Sequence, residues 1–347
     1  MRFSVFMAEC LYHPLFGYYS KDFARVGRRG DFVTSVSTGD LFGALLCERF
    51  VAWDKGVSNE VLTWVETGAH DGRLAVDILS HCREYFPAIY DRVRYLILDP
   101  SAKRRAVQAR TLADHGNRVE WSDDWGALPD ETVSGVIFSN ELLDAFPVDR
   151  LIWDARQLQW QVSAVTYEDG DFKWTLFDGP TPPEVQAFAE SLPIELRRVL
   201  PAGFTTELGS EASRWWTDAA ERLRRGHLVA IDYGLTREQL LAPHRAQGTL
   251  RAYSQHHQNA DLLASPGEQD LTAHVDFTAI QNAGLAAGLS TLHFQPQGVF
   301  LTETLKMIQQ RDPSSDLLGP ARRKQWQALT HPSHFGRSFS VLVQERQ

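Results

Sequence analysis

The chain has 347 residues, of which 43% are hydrophobic, and a formal net charge of −9 at pH 7, enough for one large domain or two ordinary ones. The negative charge argues against nucleic-acid binding, which needs a basic surface. With no apolar run of about eighteen residues, no signal-peptide pattern and three scattered cysteines, we expect no membrane span, unpaired thiols and a cytoplasmic location.

Alternating strands and helices make up the first half of the predicted structure. After a segment rich in aromatic residues and glycine turns, residues 41–53 are predicted as an amphipathic helix. Short apolar runs then alternate with stretches of helical spacing, which is typical of a parallel sheet with helices on both faces. We predict strands at 61–65, 94–98, 133–139 and 227–231, and helices at 74–82, at 102–115 and from Glu141.

A different pattern interrupts this alternation. Residues 151–177 alternate between apolar and polar, with a turn at 168–171, and predict an antiparallel hairpin or small meander. Helices are predicted at 183–191 and 210–225, an irregular polar segment at 235–275, and a final strand at 338–343. The predicted domains are an N-terminal extension at 1–58, a Rossmann-like core at 59–150 and 226–347, inserted hairpin and helices at 151–225, and a lid or substrate-side insertion at 235–300.

A glycine-containing turn, residues 66–72 (Glu-Thr-Gly-Ala-His-Asp-Gly), lies between the first predicted strand and the following helix. Glycine allows a positive φ and lets the backbone approach a ligand closely, while the start of a helix offers unbonded N–H groups. The turn therefore predicts a ligand site. The alternative interpretation is an ordinary tight connection between strand and helix.

An acidic residue, Asp99, follows the second predicted strand. In nucleotide-binding βαβ units, an acidic residue at this place binds the ribose hydroxyls. Asp99 lies farther from Gly68 than the dinucleotide spacing of about 20 residues, and the glycine turn lacks the G-x-G-x-x-G pattern that accommodates a pyrophosphate. A nucleoside without pyrophosphate, such as S-adenosylmethionine, fits this pattern better. Alternatively, Asp99 caps the helix that follows Pro100.

A polar group, Asn140, Glu141 and Asp144, follows the next strand. Ligands of open α/β sheets bind beyond the carboxyl ends of strands, and positions 141 and 144 would share one helix face. Two carboxylates and an amide could hold a guanidinium, an amine or a hydroxyl and remove its proton. The alternative is that these acids stabilise a helix N-terminus.

Three histidines, His256, His257 and His274, lie in or near the long polar segment. Their spacing matches no zinc pattern, and the chain has no C-x-x-C pair, so we predict no metal site. Packing or hydrogen bonding is the expected role of these side chains.

Taken together, the motifs resemble those of the MidA-like methyltransferases, whose members include a mitochondrial protein-arginine methyltransferase that assists respiratory complex I assembly. The resemblance runs over nearly the whole chain and includes the glycine turn and residues 140–145. The other matching segments are residues 11–14 (Leu-Tyr-His-Pro), 16–19 (Phe-Gly-Tyr-Tyr), 30–32 (Gly-Asp-Phe), 34–35 (Thr-Ser), 42–43 (Phe-Gly), 232–234 (Asp-Tyr-Gly), 248–251 (Gly-Thr-Leu-Arg), 270–277 (Asp-Leu-Thr-Ala-His-Val-Asp-Phe) and 297–298 (Gln-Gly).

The resemblance implies a class I methyltransferase fold with an inserted substrate-side region and S-adenosylmethionine as the cofactor. It implies that Asn140, Glu141 and Asp144 face the substrate. The chain departs from the family at His70, where glycine is usual: this side chain either crowds the cofactor or contacts it, and we expect a contact. The cofactor-binding residues it predicts are Thr34, Ser35, Glu66, Gly68, Ala69, His70, Gly72, Asp99, Pro100, Ser101, Asp123, Trp125 and Asn140.

The leading functional hypothesis is methylation of nitrogen, with arginine in a protein as the acceptor. A small-molecule N- or O-methyltransferase and a non-catalytic assembly factor that binds S-adenosylmethionine are the alternatives. No nucleic-acid partner is expected, and a homodimer is left open.

Overall fold

The computed structural model describes residues 1–21, 34–54, 60–254 and 257–347. The motif at residues 30–32 and His256 lie outside these ranges. The helices are α1 Phe3–Tyr12, α2 Leu41–Trp53, α3 Arg73–Tyr85, α4 Pro87–Tyr90, α5 Ala102–Thr111, α6 Pro183–Ser191, α7 Ile194–Val199, α8 Ser210–Arg222, α9 Arg237–Leu240, α10 Phe277–Ala286, α11 Gln297–Arg311, α12 Arg323–Thr330 and α13 Phe335–Ser338.

The strands follow the same chain-order numbering. They are β1 Leu62–Thr67, β2 Val93–Leu98, β3 Val119–Ser122, β4 Val133–Asn140, β5 Asp149–Asp154, β6 Gln159–Glu168, β7 Asp171–Leu176, β8 Thr205–Leu208, β9 Leu223–Leu235, β10 Arg251–Ser254, β11 His257–Asn259, β12 Asp270–Thr272, β13 Val275–Asp276, β14 Ser290–Pro296 and β15 Phe339–Arg346.

The chain divides into two compact units, each built from three chain segments. The first unit comprises Met1–Phe32, Leu143–Arg214 and Gly234–Ile280. The second unit comprises Val33–Leu142, Trp215–Tyr233 and Gln281–Gln347.

The second unit is built on a mixed sheet with strand order β14-β15-β9-β4-β1-β2-β3. Strands β1, β2, β3, β4 and β9 are parallel to one another, whereas β15 is antiparallel to both β9 and β14. The order of the strands reverses between β1 and β4, which is where open α/β sheets bind ligands. This topology confirms the predicted Rossmann-like α/β fold.

Register brings the ends of the central strands to one edge of this sheet. Thr67 pairs with Leu98 on one side and with Ser139 on the other. All six residues of β1 are buried, as expected for a parallel strand with both faces covered. Because the strands end at the same level, the segments that follow β1, β2 and β4 start at one edge.

The first unit contains two antiparallel sheets, of order β7-β6-β5-β8 and β11-β10-β12. The predicted hairpin is confirmed, since β6 ends at Glu168, β7 begins at Asp171, and the two residues between them have positive φ. Helix α1 was not predicted, although its five buried residues have helical spacing. They are Phe3, Phe6, Met7, Cys10 and Leu11.

Three local predictions are wrong. No α-helix starts at Glu141: this residue has a φ of +53°, and only a 3-10 turn follows at Leu143–Ala145. Helix α8 ends at Arg222 because Leu223 already pairs with Val133 in the sheet. The segment 235–275 is not irregular, since β10 pairs with both β11 and β12.

Helix length and hydropathy bear on the predicted absence of a membrane span. Within the described ranges, no helix combines the length and apolar character needed to cross a bilayer.

Two glycines, Gly135 and Gly226, lie opposite each other in the central strands β4 and β9. Their φ values are +143° and +126°, and a Cβ at Gly226 would collide with the carbonyl oxygen of Gly135. Since that carbonyl belongs to a buried strand, it cannot move aside cheaply. This part of the sheet therefore requires glycine.

We expect Gly226→Ala to lower the free energy of unfolding by about 3 kcal/mol, through backbone strain together with steric overlap. Gly288→Ala is the matched control, because Gly288 has a φ of +84° but open space around its Cβ position. It should cost only about 1 kcal/mol. Urea denaturation measures both values, and equal losses would contradict the close-packing argument.

Candidate functional site

The turn after β1 has an unusual backbone. Gly68, His70 and Gly72 all have positive φ, at +77°, +45° and +84°. A positive φ is uncommon outside glycine, although histidine adopts it more often than most residues. The N–H of Gly72 donates to the carbonyl of Ala69 at 2.7 Å, and α3 begins directly afterwards. The turn is therefore tight and ends at the N-terminus of a thirteen-residue helix.

The two glycines of this turn have little room for a side chain. A Cβ at Gly68 would lie 3.1 Å from the side chain of Leu142, and one at Gly72 would lie 3.2 Å from that of Leu112. Both distances are tighter than ordinary van der Waals contact. The segments after β1 and after β4 thus touch at the point where the strand order reverses.

Asp99 is buried just after β2, with only 3% exposure, and its carboxylate accepts three hydrogen bonds. Its Oδ1 accepts from the N–H of Ser101 at 2.9 Å and from Arg104 Nε at 3.3 Å, and its Oδ2 accepts from Gln108 Nε2 at 2.8 Å. Ser101, rather than Asp99, caps α5. The alternative interpretation of Asp99 as the cap is therefore wrong.

Gln108 connects Asp99 to the glycine turn, a role that the sequence analysis did not predict. Its Nε2 also donates to the carbonyl of His70 at 2.9 Å, while its Oε1 accepts from Trp121 Nε1 at 3.0 Å. A fully buried amide thus holds two of the predicted site segments together. Only its place in α5, behind the site, could have suggested it.

Glu66 is the last residue but one of β1 and is buried inside the sheet. Its Oε2 accepts from the hydroxyl of Tyr95 at 2.6 Å. Burial raises the pKa of Glu66 to about 7, although the bond from Tyr95 works in the opposite direction. Next in the turn, the pKa of Asp71 is lowered: burial raises it, but bonds from His70 and the N–H of Arg73 lower it more.

Glu141 turns the chain sharply at the end of β4. Its backbone N–H donates to the carbonyl of Ile231 at 2.9 Å, and the next N–H, that of Leu142, donates to Asp232 Oδ2 at 3.0 Å. Its side-chain Oε1 accepts from Asn140 Nδ2 and from the N–H of Ser35, both at 3.1 Å. These contacts fix the carboxyl at the edge of the sheet.

Burial raises the pKa of Glu141 to about 8. The hydrogen bonds from Asn140 and Ser35 lower it, and the charge of Asp232 raises it. The group is therefore largely protonated at neutral pH. Beside it, Asn140 Oδ1 and Ser139 Oγ are buried and have no hydrogen-bond partner among the residues that the structure describes. Buried polar atoms of this kind commonly belong to ligand sites.

The remaining predicted cofactor residues differ in exposure. Thr34 and Ser37 bond each other reciprocally, which shapes the segment around Ser35. After β3, Asp123 is exposed and paired with Arg105. Trp125 is buried beside Trp215, and its Nε1 has no partner within the described part of the chain. Pro100 is exposed at the end of β2.

Asp144, the third predicted catalytic residue, belongs to the first unit. Its carbonyl accepts from the N–H of Ala273 at 2.9 Å, and its charge is among those that, after burial and Asp270, raise the pKa of Tyr19. Tyr19 donates to Asp270 and stacks on Tyr12 with ring centroids 5.6 Å apart. The surroundings of Asp144 are therefore acidic and aromatic.

The histidines form no metal centre in the described ranges, where no group of three His, Cys, Asp or Glu side chains could hold an ion. The N–H of His274 donates to Thr249 Oγ1 at 3.0 Å. Burial, together with the charges of Arg251 and Arg245, lowers the pKa of His274 to about 4. This histidine is neutral at physiological pH.

Comparison with known proteins identifies the family to which the sequence is similar. Residues 41–295 match the sequence profile of the family described as "Putative S-adenosyl-L-methionine-dependent methyltransferase". A crystal structure of a Burkholderia thailandensis protein, described as a "COG1565 superfamily member and likely methyl transferase" and bound to S-adenosylhomocysteine, has 30% identity and a TM-score of 0.84, and the match covers 100% of this chain and 88% of that one. These matches confirm the MidA-like resemblance.

Curated relatives extend the comparison to eukaryotes. The Drosophila melanogaster protein arginine methyltransferase NDUFAF7 homolog is 28% identical over 97% of this chain and 80% of its own length. Human protein arginine methyltransferase NDUFAF7 is 24% identical over 97% of this chain and 78% of its own length. Both relatives carry the designation mitochondrial, so the prediction of a cytoplasmic location is wrong on this comparison.

We expect Asp99→Asn to weaken the binding of S-adenosylhomocysteine at least about tenfold, because an amide cannot replace charge-assisted hydrogen bonds worth about 1.5–3 kcal/mol each. Asp91→Asn is the control, since Asp91 is an exposed partner of Arg118. Isothermal titration calorimetry well below the melting temperature gives both affinities. Unchanged affinity in the Asp99 variant would leave this residue a purely structural role beside Gln108.

We expect the free energy of unfolding to fall as the pH rises from about 4.5 towards about 8, because folded Glu141 keeps a proton that the unfolded chain releases. Glu141→Gln should reduce this decline, and Glu66 should account for part of the remainder. Glu120→Gln is the control. Arg94 lowers the pKa of Glu120, so this carboxylate changes the free energy of unfolding only at more acidic pH. Urea denaturation from pH 5 to 8.5 measures all three proteins, and identical slopes would contradict the assignment to Glu141.

Proposed function

The chain belongs to this family of S-adenosylmethionine-dependent methyltransferases, and we propose that its methyl acceptor is an arginine side chain of a protein. Methyl transfer is its reaction and S-adenosylmethionine its cofactor. The identity of the methyl acceptor is what we propose. The observation that carries the proposal is the buried Glu141 carboxyl at the ligand-binding edge of the sheet, with a pKa of about 8.

The residues of the second unit fit this cofactor. The glycine turn is proposed to lie against it, since its backbone has positive φ at positions 68 and 72 and ends at the N-terminus of α3, where N–H groups are unbonded. The unpartnered Asn140 Oδ1 and Trp125 Nε1 offer one acceptor and one donor. Asp99, already oriented by three donors, is proposed to bind the ribose hydroxyls, and Ser35, Glu66 and His70 to complete the site.

An arginine acceptor agrees with the chemistry of Glu141. A guanidinium is charged at all physiological pH values and is best paired with a carboxylate. When a cation approaches, its charge lowers the pKa of a neighbouring acid. Glu141 would then ionise in response to an arginine, whereas a neutral hydroxyl substrate would leave it protonated.

In methyl transfer to an arginine, Glu141 and Asn140 would have different roles. Bound S-adenosylmethionine supplies an electrophilic methyl group on a sulfonium. Glu141 would orient the guanidinium so that one nitrogen faces this methyl group, and the new N–C bond would form as the S–C bond breaks with its electrons left on sulfur. The proton lost by that nitrogen would pass to the Glu141 carboxylate, which the approaching guanidinium has ionised. Asn140 Oδ1 can accept a second N–H of the substrate.

Asp144 is proposed as a further carboxylate for the substrate. It follows Glu141 by three positions in the chain and lies in the acidic, aromatic surroundings of Tyr19. Carboxylates and aromatic rings both attract guanidinium groups. The net charge of −9 also favours a cationic protein substrate over nucleic acid. Light scattering tests whether the chain also pairs with a second copy of itself.

We expect methyl label from S-adenosylmethionine to appear on arginine when the protein is incubated with a cell lysate and the labelled proteins are hydrolysed. Asp144→Ala should reduce turnover at least about a hundredfold, because misplacing a reactant costs that much. Its affinity for S-adenosylhomocysteine should stay within about threefold, as for a loss confined to the transition state. Asp169→Ala is the control, since Asp169 lies in an exposed hairpin turn.

Label on a small molecule would support the metabolite alternative instead. Binding of S-adenosylmethionine without any transfer would support the assembly-factor alternative. A lower melting temperature with unchanged turnover per folded Asp144→Ala molecule would give Asp144 a structural role only.

A further inference from the structure

Gln297 is fully buried at the first position of α11. Its Nε2 donates to the carbonyl of Leu329 at 3.1 Å, and its Oε1 accepts from the hydroxyl of Ser35 at 3.3 Å. A backbone carbonyl can only accept, so the amide nitrogen must face Leu329 and the amide oxygen must face Ser35. The orientation of this side chain is therefore fixed at both ends.

Close packing holds the backbone beside Gln297 as well. A Cβ at Gly298 would lie 2.6 Å from the carbonyl oxygen of Thr330 and 3.1 Å from that of Gly336. The N-terminus of α11 thus lies directly against the end of α12 and against α13. The backbone from which the Gln297 side chain extends is therefore held in place by close packing.

Ser35 carries this restraint to the proposed catalytic carboxyl. Its side chain is tied to Gln297, and its backbone N–H donates to Glu141 Oε1 at 3.1 Å. The same segment is held a second time by α12, because Gln325 Oε1 accepts from the N–H of Leu41 at 2.9 Å. The helices after residue 296 therefore fix a segment that contacts Glu141.

We propose that Gln297 is a positioning residue that, through Ser35, holds the Glu141 carboxyl in place. It touches neither substrate nor cofactor in this proposal. Its effect on catalysis rests on the proposed function of Glu141, but the positioning itself can be measured without any substrate.

The pH dependence of stability provides that measurement. Asn140 and Ser35 donate to Glu141, and Asp232 is the charged group that faces it. Both hydrogen bonds favour the ionised carboxyl, whereas the charge of Asp232 opposes it. If Ser35 is released, the Glu141 carboxylate loses one donor, so its pKa should rise.

The test compares Gln297→Leu with Gln344→Leu. Gln344 is also fully buried in the second unit, but its amide bonds Trp216, Thr291 and the carbonyl of Gln281 instead. Each protein is made with and without Glu141→Gln, and its free energy of unfolding is measured from pH 5 to 9.5. The difference within each pair, plotted against pH, isolates the titration of Glu141.

We expect Gln297→Leu to move this titration upward by about one pH unit, the size of one charge-assisted hydrogen bond, and Gln344→Leu to leave it unchanged. Ser35→Ala removes only the hydroxyl that donates to Gln297, and it should move the titration of Glu141 in the same direction. This variant replaces Gln297→Leu in the test if Gln297→Leu does not fold. An unmoved titration in these variants, or an equal shift in Gln344→Leu, overturns the proposal.

Activity separates this inference from the proposed function. If Gln297→Leu shifts the titration and no arginine substrate is found, the positioning stands and the proposed acceptor fails. If arginine is methylated, Gln297→Leu should also move the pH profile of kcat upward, while Gln344→Leu should not.

Discussion

Parallel pairing of β1 with β4 sets the distance between the glycine turn and Glu141, because Thr67 and Ser139 lie opposite each other near the ends of both strands. From this common level the segments after β1 and β4 leave the sheet through residues with positive φ, Gly68 and Glu141. Gly68 then lies against the side chain of Leu142, the residue that follows Glu141. A shift of one residue in this register would move every side chain to the other face, and with it the whole site.

Burial of acidic groups at the strand ends follows from that geometry, and each group is stabilised differently. Asp99 and Asp232 accept backbone N–H groups. Among the described residues, Glu66 accepts only from the hydroxyl of Tyr95, and Glu141 has two donors on one oxygen. An ionised carboxylate is costly to bury without several donors. The two glutamates therefore keep their protons more readily, which makes them responsive to an arriving cation.

Local sequence was sufficient for most of the sheet and insufficient for the site. Apolar runs marked β1, β2 and β4 because strands covered on both faces are continuously hydrophobic. The turn at Glu141 depends on bonds to Ile231 and Asp232, far along the chain, which no local pattern contains. Gln108 and Gln297 occupy ordinary helical positions, so only the folded arrangement reveals that they connect site segments.

Strand β15 has a consequence for the kinetics of folding. It lies inside the sheet, between β9 and β14, and pairs Phe339 with Tyr233. Until β15 has docked, β9 presents an unpaired and largely apolar edge. Contacts between such distant parts of a chain form slowly, and exposed strand edges template association with other chains. During synthesis and refolding, the protein would thus pass through a state that can associate with other chains. The yield of folded protein would then depend on the protein concentration and on the chaperones available.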